Sequence, residues 1–340
     1  MGPAIEKVAA ALAGRPVRAL VPVGRGANSR VYRVDAGTDR FALKAYPRPS
    51  GDGRDRLGAE VRALEFFRHH GLSAVARPVA ADRKAGFALF EWIEGEAVTD
   101  PGPADIEAAA AFAERLHGLV AAAGAEGLPP AAEACLSGAE IAAQIELRQA
   151  RLAAAAPERE DLAGFIEGDF TTVFAAALAR AKAGFAAAGW DFAADIGSTR
   201  RTLSPSDFGF HNAIRRPDGT LAFIDFEYFG WDDPVRLVAD FLQHPGMNLT
   251  PPLDRRFLDR ARTIYGGDGD FGRRLDLLFP LVGLRWCMIL LNEFLPEGWN
   301  RRTFAGPAPD REEVLTRQMT KAHRRLRSIE IALNGISHAP

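Results

Sequence analysis

A carboxylate that can take a proton from a hydroxyl, and two further oxygen donors that can hold a divalent cation, occur close together in this chain. The first is Asp207 of DFGFHN; the others are Asn212 in the same run and Asp225 of IDFE. Phosphoryl transfer needs this trio, because a base must orient the acceptor hydroxyl while the cation neutralises charge on the transferring group. Asp207 and Asp225 would also serve as ordinary loop caps if read singly. Upstream, Lys44 of FALKAY can meet phosphate oxygens, and Glu60 can pair with the lysine and position it. Glu65 is the competing partner, but Glu60 leads the apolar stripe Val61, Leu64 and is the expected one. A run of Gly24, Arg25, Gly26, Ala27, Asn28 and Ser29 could bring backbone N–H groups against a phosphate, or could simply be a tight hairpin turn.

These residues need elements to hold them. RALVPV, SRVYRVDA and FALKAY read as strands, with GTDR as the turn before the third. On a strand, Ala42, Lys44 and Tyr46 share one face, and the small Ala42 leaves room for a flat ring beside the ammonium. Leu57, Val61, Leu64 and Phe67 recur at helical spacing, with Gly71 as a stop signal. Two more extended runs follow and close near Glu94 and Gly95. After Pro103 the chain turns to Ala-rich helix, as in DIEAAAAFAERLHGLV and SGAEIAAQIELRQARLAAAA. The turn PDG then joins two short apolar runs, predicting a hairpin between Asn212 and Asp225. Asp233 followed by Pro234 predicts a capped helix start. The expected fold class is α+β, with a small antiparallel-sheet lobe over residues 1–95 and a mainly helical lobe over 96–340.

Composition removes several alternatives. The 42 Lys plus Arg and 44 Asp plus Glu leave a net charge of −2, so no global field favours nucleic acid or anionic lipid. The two cysteines, Cys135 and Cys287, are too few for a disulfide framework and lack metal-ligand spacing. The apolar runs 277–284 and 286–291, broken by Arg285, are shorter than the roughly 20 residues of a membrane helix. The expectation is a cytoplasmic protein with neither a nucleic-acid nor a membrane partner. Oligomeric state is not readable.

Taken in order, these residues resemble the aminoglycoside phosphotransferase and choline kinase family, whose fold is similar to that of protein kinases. The resemblance covers about residues 17–245. It implies Asp207 as catalytic base, Asn212 and Asp225 as Mg²⁺ ligands, and Lys44 with Glu60 as the phosphate-positioning pair. It further implies that Gly24, Gly26, Asn28 and Ser29 cover the phosphates of ATP or GTP. FALFEWIEGEAV resembles the connector between lobes, where Glu91 to Ile93 would offer backbone groups to adenine, with Ala42 beside it. The family usually has His or Asn two residues before the catalytic Asp and often Gly one before; here Pro205 and Ser206 take those places. Where many relatives have an Asp four positions after the helix-opening Asp, this chain has Leu237, with Asp240 three further on as the expected brace of the catalytic loop.

A small-molecule acceptor is expected. The loop lacks a Lys two residues after Asp207, and the six residues between Asp225 and Asp232 leave no room for a long activation segment. Glu227, Trp231, Asp232, Arg285 and Glu293 are the acceptor-site candidates. Acids with aromatics suit a cationic acceptor; arginines such as Arg236 and Arg285 suit a carboxylate or phosphate. Trp286, among apolar neighbours, reads better as core. A choline, ethanolamine, sugar or antibiotic kinase would each fit, and a non-catalytic nucleotide-binding module is the alternative of another class.

Overall fold

The computed structural model describes residues 2–23, 29–46, 54–247, 249–305 and 310–335. The chain divides into two compact units: Met1–Ala132 with Leu203–Trp231 and Phe304–Pro307, and Glu133–Thr202 with Asp232–Thr303 and Ala308–Pro340. This division does not coincide with the 95/96 boundary read from the sequence, because the loop and hairpin around Asp207 and Asp225 group with the first 132 residues.

The first unit begins with α1 (Gly2–Ala13), then β1 (Ala19–Pro22), β2 (Arg30–Ala36) and β3 (Asp39–Ala45), α2 (Arg56–His69), β4 (Pro78–Asp82) and β5 (Phe87–Glu91). The strands form one antiparallel sheet in the order β1-β2-β3-β5-β4, with Lys44 opposite Val31 and Ala88. Alternation puts Val34, Ala36, Leu43 and Leu89 into a core that Ala9, Ile5 and Leu12 of α1 cover. That first helix is an addition to the elements expected from the sequence. Asp55 caps α2 by accepting from the Gly58 N–H at 2.8 Å. Within α2, Leu57, Glu60, Leu64 and Phe67 are buried while Glu65 is exposed.

The unit continues through β6 (Glu96–Ala97) and α3 (Pro103–Gly118). It resumes with β7 (Thr202–Ser204), β8 (Ala213–Arg215), β9 (Leu221–Phe223) and β10 (Gly230–Asp232), the unit boundary falling inside β7 and β10. Strands β8 and β9 make the hairpin expected at PDG, and β6 adds to its open edge. Gly230 is required by close approach: the Trp231 N–H donates to Pro129 O and the Ala131 N–H to Trp231 O, both at 2.9 Å. A Cβ at Gly230 would lie 2.3 Å from Pro129 O and 2.5 Å from Ala131 N.

The second unit is helical: α4 (Gly138–Ala155), α5 (Glu160–Gly164), α6 (Thr171–Ala187), α7 (Pro234–Gln243), α8 (Pro251–Ile264), α9 (Phe271–Leu290), α10 (Pro296–Ala305) and α11 (Arg311–Leu333). Asp233 caps α7 by accepting from the Val235 N–H at 2.8 Å, with Pro234 at the first turn as expected. Helix α9 packs against α4, α6, α7 and α11. It corrects the sequence reading of broken apolar runs, since the helix passes through Arg285, whose charge is met by Glu133 at 2.8 Å. Two helical stretches, Glu160–Ala187 and Phe271–Phe294, are long and apolar enough to cross a bilayer; a buried core helix meets the same test, and 67% of the second stretch's most apolar window is buried.

Gly230→Ala forces the 129–131 backbone away from β10 and is expected to destabilise the protein by about 1–3 kcal/mol, the usual cost of overpacking. A urea denaturation midpoint unchanged from the parent would contradict this packing.

Candidate functional site

Strand β3 delivers Lys44 into a nearly closed cluster in the first unit. Its Nζ lies 2.6 Å from Glu60 Oε2, 2.6 Å from Asp225 Oδ1 and 3.1 Å from Glu227 Oε2. The lysine side chain is only 7% exposed, whereas Asp225 is 30% exposed. Burial works against the ammonium, but Asp225 and Glu60, helped by Tyr46 and Glu227, outweigh it and hold the Lys44 pKa well above its ordinary value. The pairing with Glu60 rather than Glu65 is the one the helix register predicts.

Three members of this cluster go beyond the pair expected from the sequence. The Tyr46 hydroxyl donates to Glu60 Oε2 at 2.6 Å, and its ring centroid lies 4.9 Å from Lys44 Nζ. Its position two residues after Lys44 on the same strand face is the sequence signal for this contact. Arg56 approaches Glu227 at 3.5 Å and lies over the Tyr228 ring. Glu227 itself corrects an expectation: the sequence reading places it with the acceptor, yet it is buried against Lys44 and Arg56. Burial pushes its pKa up to about 7, Lys44 pulling the other way and Asp225 and Glu60 adding to the rise.

The carboxylate oxygens of Glu60, Asp225 and Glu227 lie within 4.8 Å of one another. Both Glu227 oxygens are buried without an aligned hydrogen bond. Hard oxygen donors, one of them under-satisfied, are a donor set that suits Mg²⁺. Asn212 fits the same role, since its Nδ2 is committed to Asp207 O at 2.9 Å and Asp207 Oδ2 at 3.3 Å, leaving its oxygen as the donor for a cation.

Asp207 is 31% exposed, and its Oδ1 lies 3.0 Å from His211 Nε2. The residue before it, Ser206, has φ +67°, and Asp225 has φ +69°. A non-glycine residue in this region costs roughly 1–2 kcal/mol, so Asp225 sits at a strained corner and Asp207 directly follows one. Ser206 holds its corner by donating its N–H to Ser204 Oγ and its hydroxyl to Ala132 O, each at 3.0 Å. Beside the acids, Phe208 and Phe226 anchor the chain in an aromatic cluster: Phe67 to Phe226 is 5.0 Å between ring centroids, Phe112 to Phe223 is 4.5 Å, and Phe208 to Phe223 is 5.2 Å.

The remaining assignments vary. Gly24, Gly26 and Asn28 lie outside the described residues; Ser29 is buried at the start of β2. Ala42 pairs with Arg33 and Phe90. The Glu91 N–H already donates to Arg77 O at 2.9 Å, so that backbone donor is engaged within the sheet. Ile93 is buried, and with Glu91, Trp92 and Glu94 it borders a cleft of about 460 Å³ closed by Arg216, Pro217 and Asp218. None of the acids around Lys44 or Asp207 lines this cleft. Trp231 donates its indole N–H to Ala125 O at 3.0 Å. Asp232 is fully buried, accepts from the Cys135 and Asp233 N–H groups and pairs with Arg236, so it serves the core of the second unit and not an acceptor. Glu293 binds Arg302 at 2.9 Å and Gln318 at 3.1 Å. Asp240, expected to brace the catalytic loop, takes the Trp286 indole N–H at 2.8 Å and pairs with Arg236 at 3.2 Å. Trp286 is core, as its apolar neighbours predict.

Solved structures share this α+β fold, which is that of protein-kinase-like small-molecule kinases. Choline kinase LicA from Streptococcus pneumoniae is 16% identical with a TM-score of 0.61, over 95% of this chain and 98% of that one. An ADP-bound aminoglycoside phosphotransferase, APH(2'')-Ib, is 15% identical with a TM-score of 0.59, over 96% and 98%. Spectinomycin phosphotransferase APH(9)-Ia, in complex with ADP and spectinomycin, is 11% identical with a TM-score of 0.61, over 94% and 97%. The profile of the phosphotransferase enzyme family, APH, matches residues 19–275, and the chain belongs to that family. None of the curated protein sequences matches it.

Tyr46→Phe removes a hydrogen bond to a buried carboxylate. It is expected to cost about 1.5–3 kcal/mol of stability, the range for bonds to charged groups, as read by chemical denaturation. A loss below about 0.5 kcal/mol, by the same scale, would show that the hydroxyl does not hold Glu60.

Proposed function

We propose that this protein transfers the γ-phosphoryl group of a nucleoside triphosphate, ATP or GTP, to a hydroxyl group of a small molecule. The observation that carries the reading is the Lys44 ammonium fixed between Glu60 and Asp225, in the same unit as the partly exposed Asp207. Residues 1–95 supply the nucleotide side and residues 96–340 the acceptor side. Mg²⁺, held by Asp225 and Asn212, would neutralise charge on the phosphates.

Asp207 orients the acceptor hydroxyl and takes its proton as the oxygen attacks the γ-phosphorus. The bond from that phosphorus to the bridging oxygen breaks, and the nucleoside diphosphate leaves with the electron pair. Lys44 offers its N–H donors to the phosphate oxygens, and Glu60 fixes the lysine so that no reorganisation is needed during transfer. Asn212 and His211 hold the Asp207 carboxylate in one orientation. The family membership and the ADP-bound state of APH(2'')-Ib and APH(9)-Ia support the nucleotide assignment.

The test is purified protein with Mg-ATP and a pool of amino alcohols, aminoglycosides, sugars, sugar phosphates and hydroxy acids, scored for products heavier by one phosphoryl group. Asp207→Ala is expected to lower turnover at least about 100-fold, the scale of a lost general base, while ADP affinity stays within a few-fold. Asp225→Ala is expected to weaken Mg-nucleotide binding. Full turnover in the first variant, or unchanged Mg-nucleotide affinity in the second, would overturn these roles.

A further inference from the structure

Within the first unit, the corner before Asp207 is tied to the segment that carries Asp225. Ser206 donates its hydroxyl to Ala132 O at 3.0 Å, and the N–H of the same Ala132 donates to Tyr228 O at 2.9 Å. The run before Ala132 is fastened to that segment as well. The Trp231 N–H donates to Pro129 O and the Ala131 N–H to Trp231 O, each at 2.9 Å, while the Trp231 indole N–H donates to Ala125 O at 3.0 Å. A second connection runs through Asn212: its Nδ2 donates to Asp207 O at 2.9 Å, and its backbone carbonyl accepts from the Ile224 N–H at 2.9 Å. The expected base and the expected metal ligand are therefore joined by two hydrogen-bonded routes, one through Asn212 and one through Ala132.

The route through Ala132 leans on one side-chain group, the Ser206 hydroxyl. Ser206 has φ +67°, a conformation that glycine would adopt without steric cost. The turn does not need that hydroxyl to close. The Ser206 N–H already donates to Ser204 Oγ at 3.0 Å, Ser204 is buried, and Pro205 between them has no N–H to satisfy. A side chain kept at a strained corner, with its hydroxyl directed at a carbonyl 74 positions away, marks a local cost accepted for the sake of geometry.

We propose that Ser206 is a positioning residue for phosphoryl transfer, fixing through the Ala132 carbonyl the separation between the Asp207 carboxylate and the cation-binding Asp225. This rests on the kinase reading above. In-line transfer requires the hydroxyl oxygen at Asp207 and the phosphorus at the metal to stand about 3–3.5 Å apart, and a displacement of about 1 Å costs on the order of 100-fold in rate. The buried Phe208 holds the chain after the base, and the Ser206 hydroxyl holds it before, so Asp207 is fixed from both sides. Loss of the hydroxyl lets the corner shift against residues 129–132 while Lys44 keeps its contacts with Glu60 and Asp225. The effect therefore falls on the transfer step and not on nucleotide binding.

The test uses the full chain with Mg-ATP, with water and the pooled hydroxyl compounds as acceptors, and reads kcat, KM for Mg-ATP and the urea midpoint of Ser206→Gly and Ser206→Ala. Both variants lack the hydroxyl, but glycine relieves the left-handed corner and alanine does not. Turnover is expected to fall about tenfold in both, between the loss of one neutral hydrogen bond and that of a full displacement, with KM for Mg-ATP within about twofold of the parent. The urea midpoints are expected to diverge, that of Ser206→Gly lying above that of Ser206→Ala, so that the loss of turnover follows the hydroxyl and not stability. Parental kcat in Ser206→Gly, or turnover that ranks with the midpoints, overturns the role and leaves the kinase reading standing. If the parent chain binds Mg-ATP but transfers phosphoryl to no acceptor, water included, the kinase reading falls and this role falls with it.

Discussion

A lysine ammonium taken out of water must be met by carboxylates, and much of the first unit is organised by that requirement at Lys44. An isolated buried cation costs several kcal/mol, and the paired cation is retained only where partners arrive from several directions. Glu60 comes from α2, while Asp225 and Glu227 come from the segment after β9. Phe67 lies two helical turns after Glu60 and packs on Phe226, the residue between those two acids. The same helix therefore delivers a charge and the apolar contact that brings its counter-charges home. Breaking the aromatic contact would loosen the ion cluster, and breaking the cluster would leave charges that the aromatic contact could not hold.

The acids are placed by corners that the chain resists adopting. Ser206 and Asp225 both lie in the left-handed region, one beside the expected base and the other being an expected metal ligand. Neither is glycine, so the side chain has been kept at a cost in backbone energy. In each case a phenylalanine adjoins the acid and is buried, Phe208 after Asp207 and Phe226 after Asp225. Those rings fix the chain on the far side of each carboxylate, and a corner held from that side cannot relax without pulling an aromatic ring out of the core.

Much of this arrangement is legible in the sequence because it follows from local rules. Strand alternation sets the faces of β3, helical spacing chooses Glu60 over Glu65, PDG marks the hairpin, and Asp233 with Pro234 marks the start of α7. What is not legible depends on distant packing. Glu227 lies two residues beyond Asp225, and nothing local says whether it turns toward Lys44 or toward solvent. Arg285 reads as a break in an apolar run until Glu133 and Gln144, more than 140 positions away, are seen to meet it. Asp240 has helical register with α7's buried face, but its partners include the Trp286 indole and Arg285 from α9. Helix α1 escapes a reading of the sequence because its amphipathic signal is short and its covering role exists only once the sheet is formed.

Exposure separates the groups that support from the groups that can meet a ligand. In the first unit Glu60 and Glu227 are sealed, while Asp225 and Asp207 each keep about a third of their side chain open. In the second unit the pattern repeats, with Asp232 and Asp240 sealed and Glu133 open. A sealed carboxylate fixes the geometry of a cation, since moving it would strand a charge; an open one can exchange its protein partner for water or ligand at small cost. The same ion-pair chemistry thus gives two outcomes by burial alone. A rigid inner layer of charge sets where the outer carboxylates stand, and the outer layer is left with the freedom that binding and release demand.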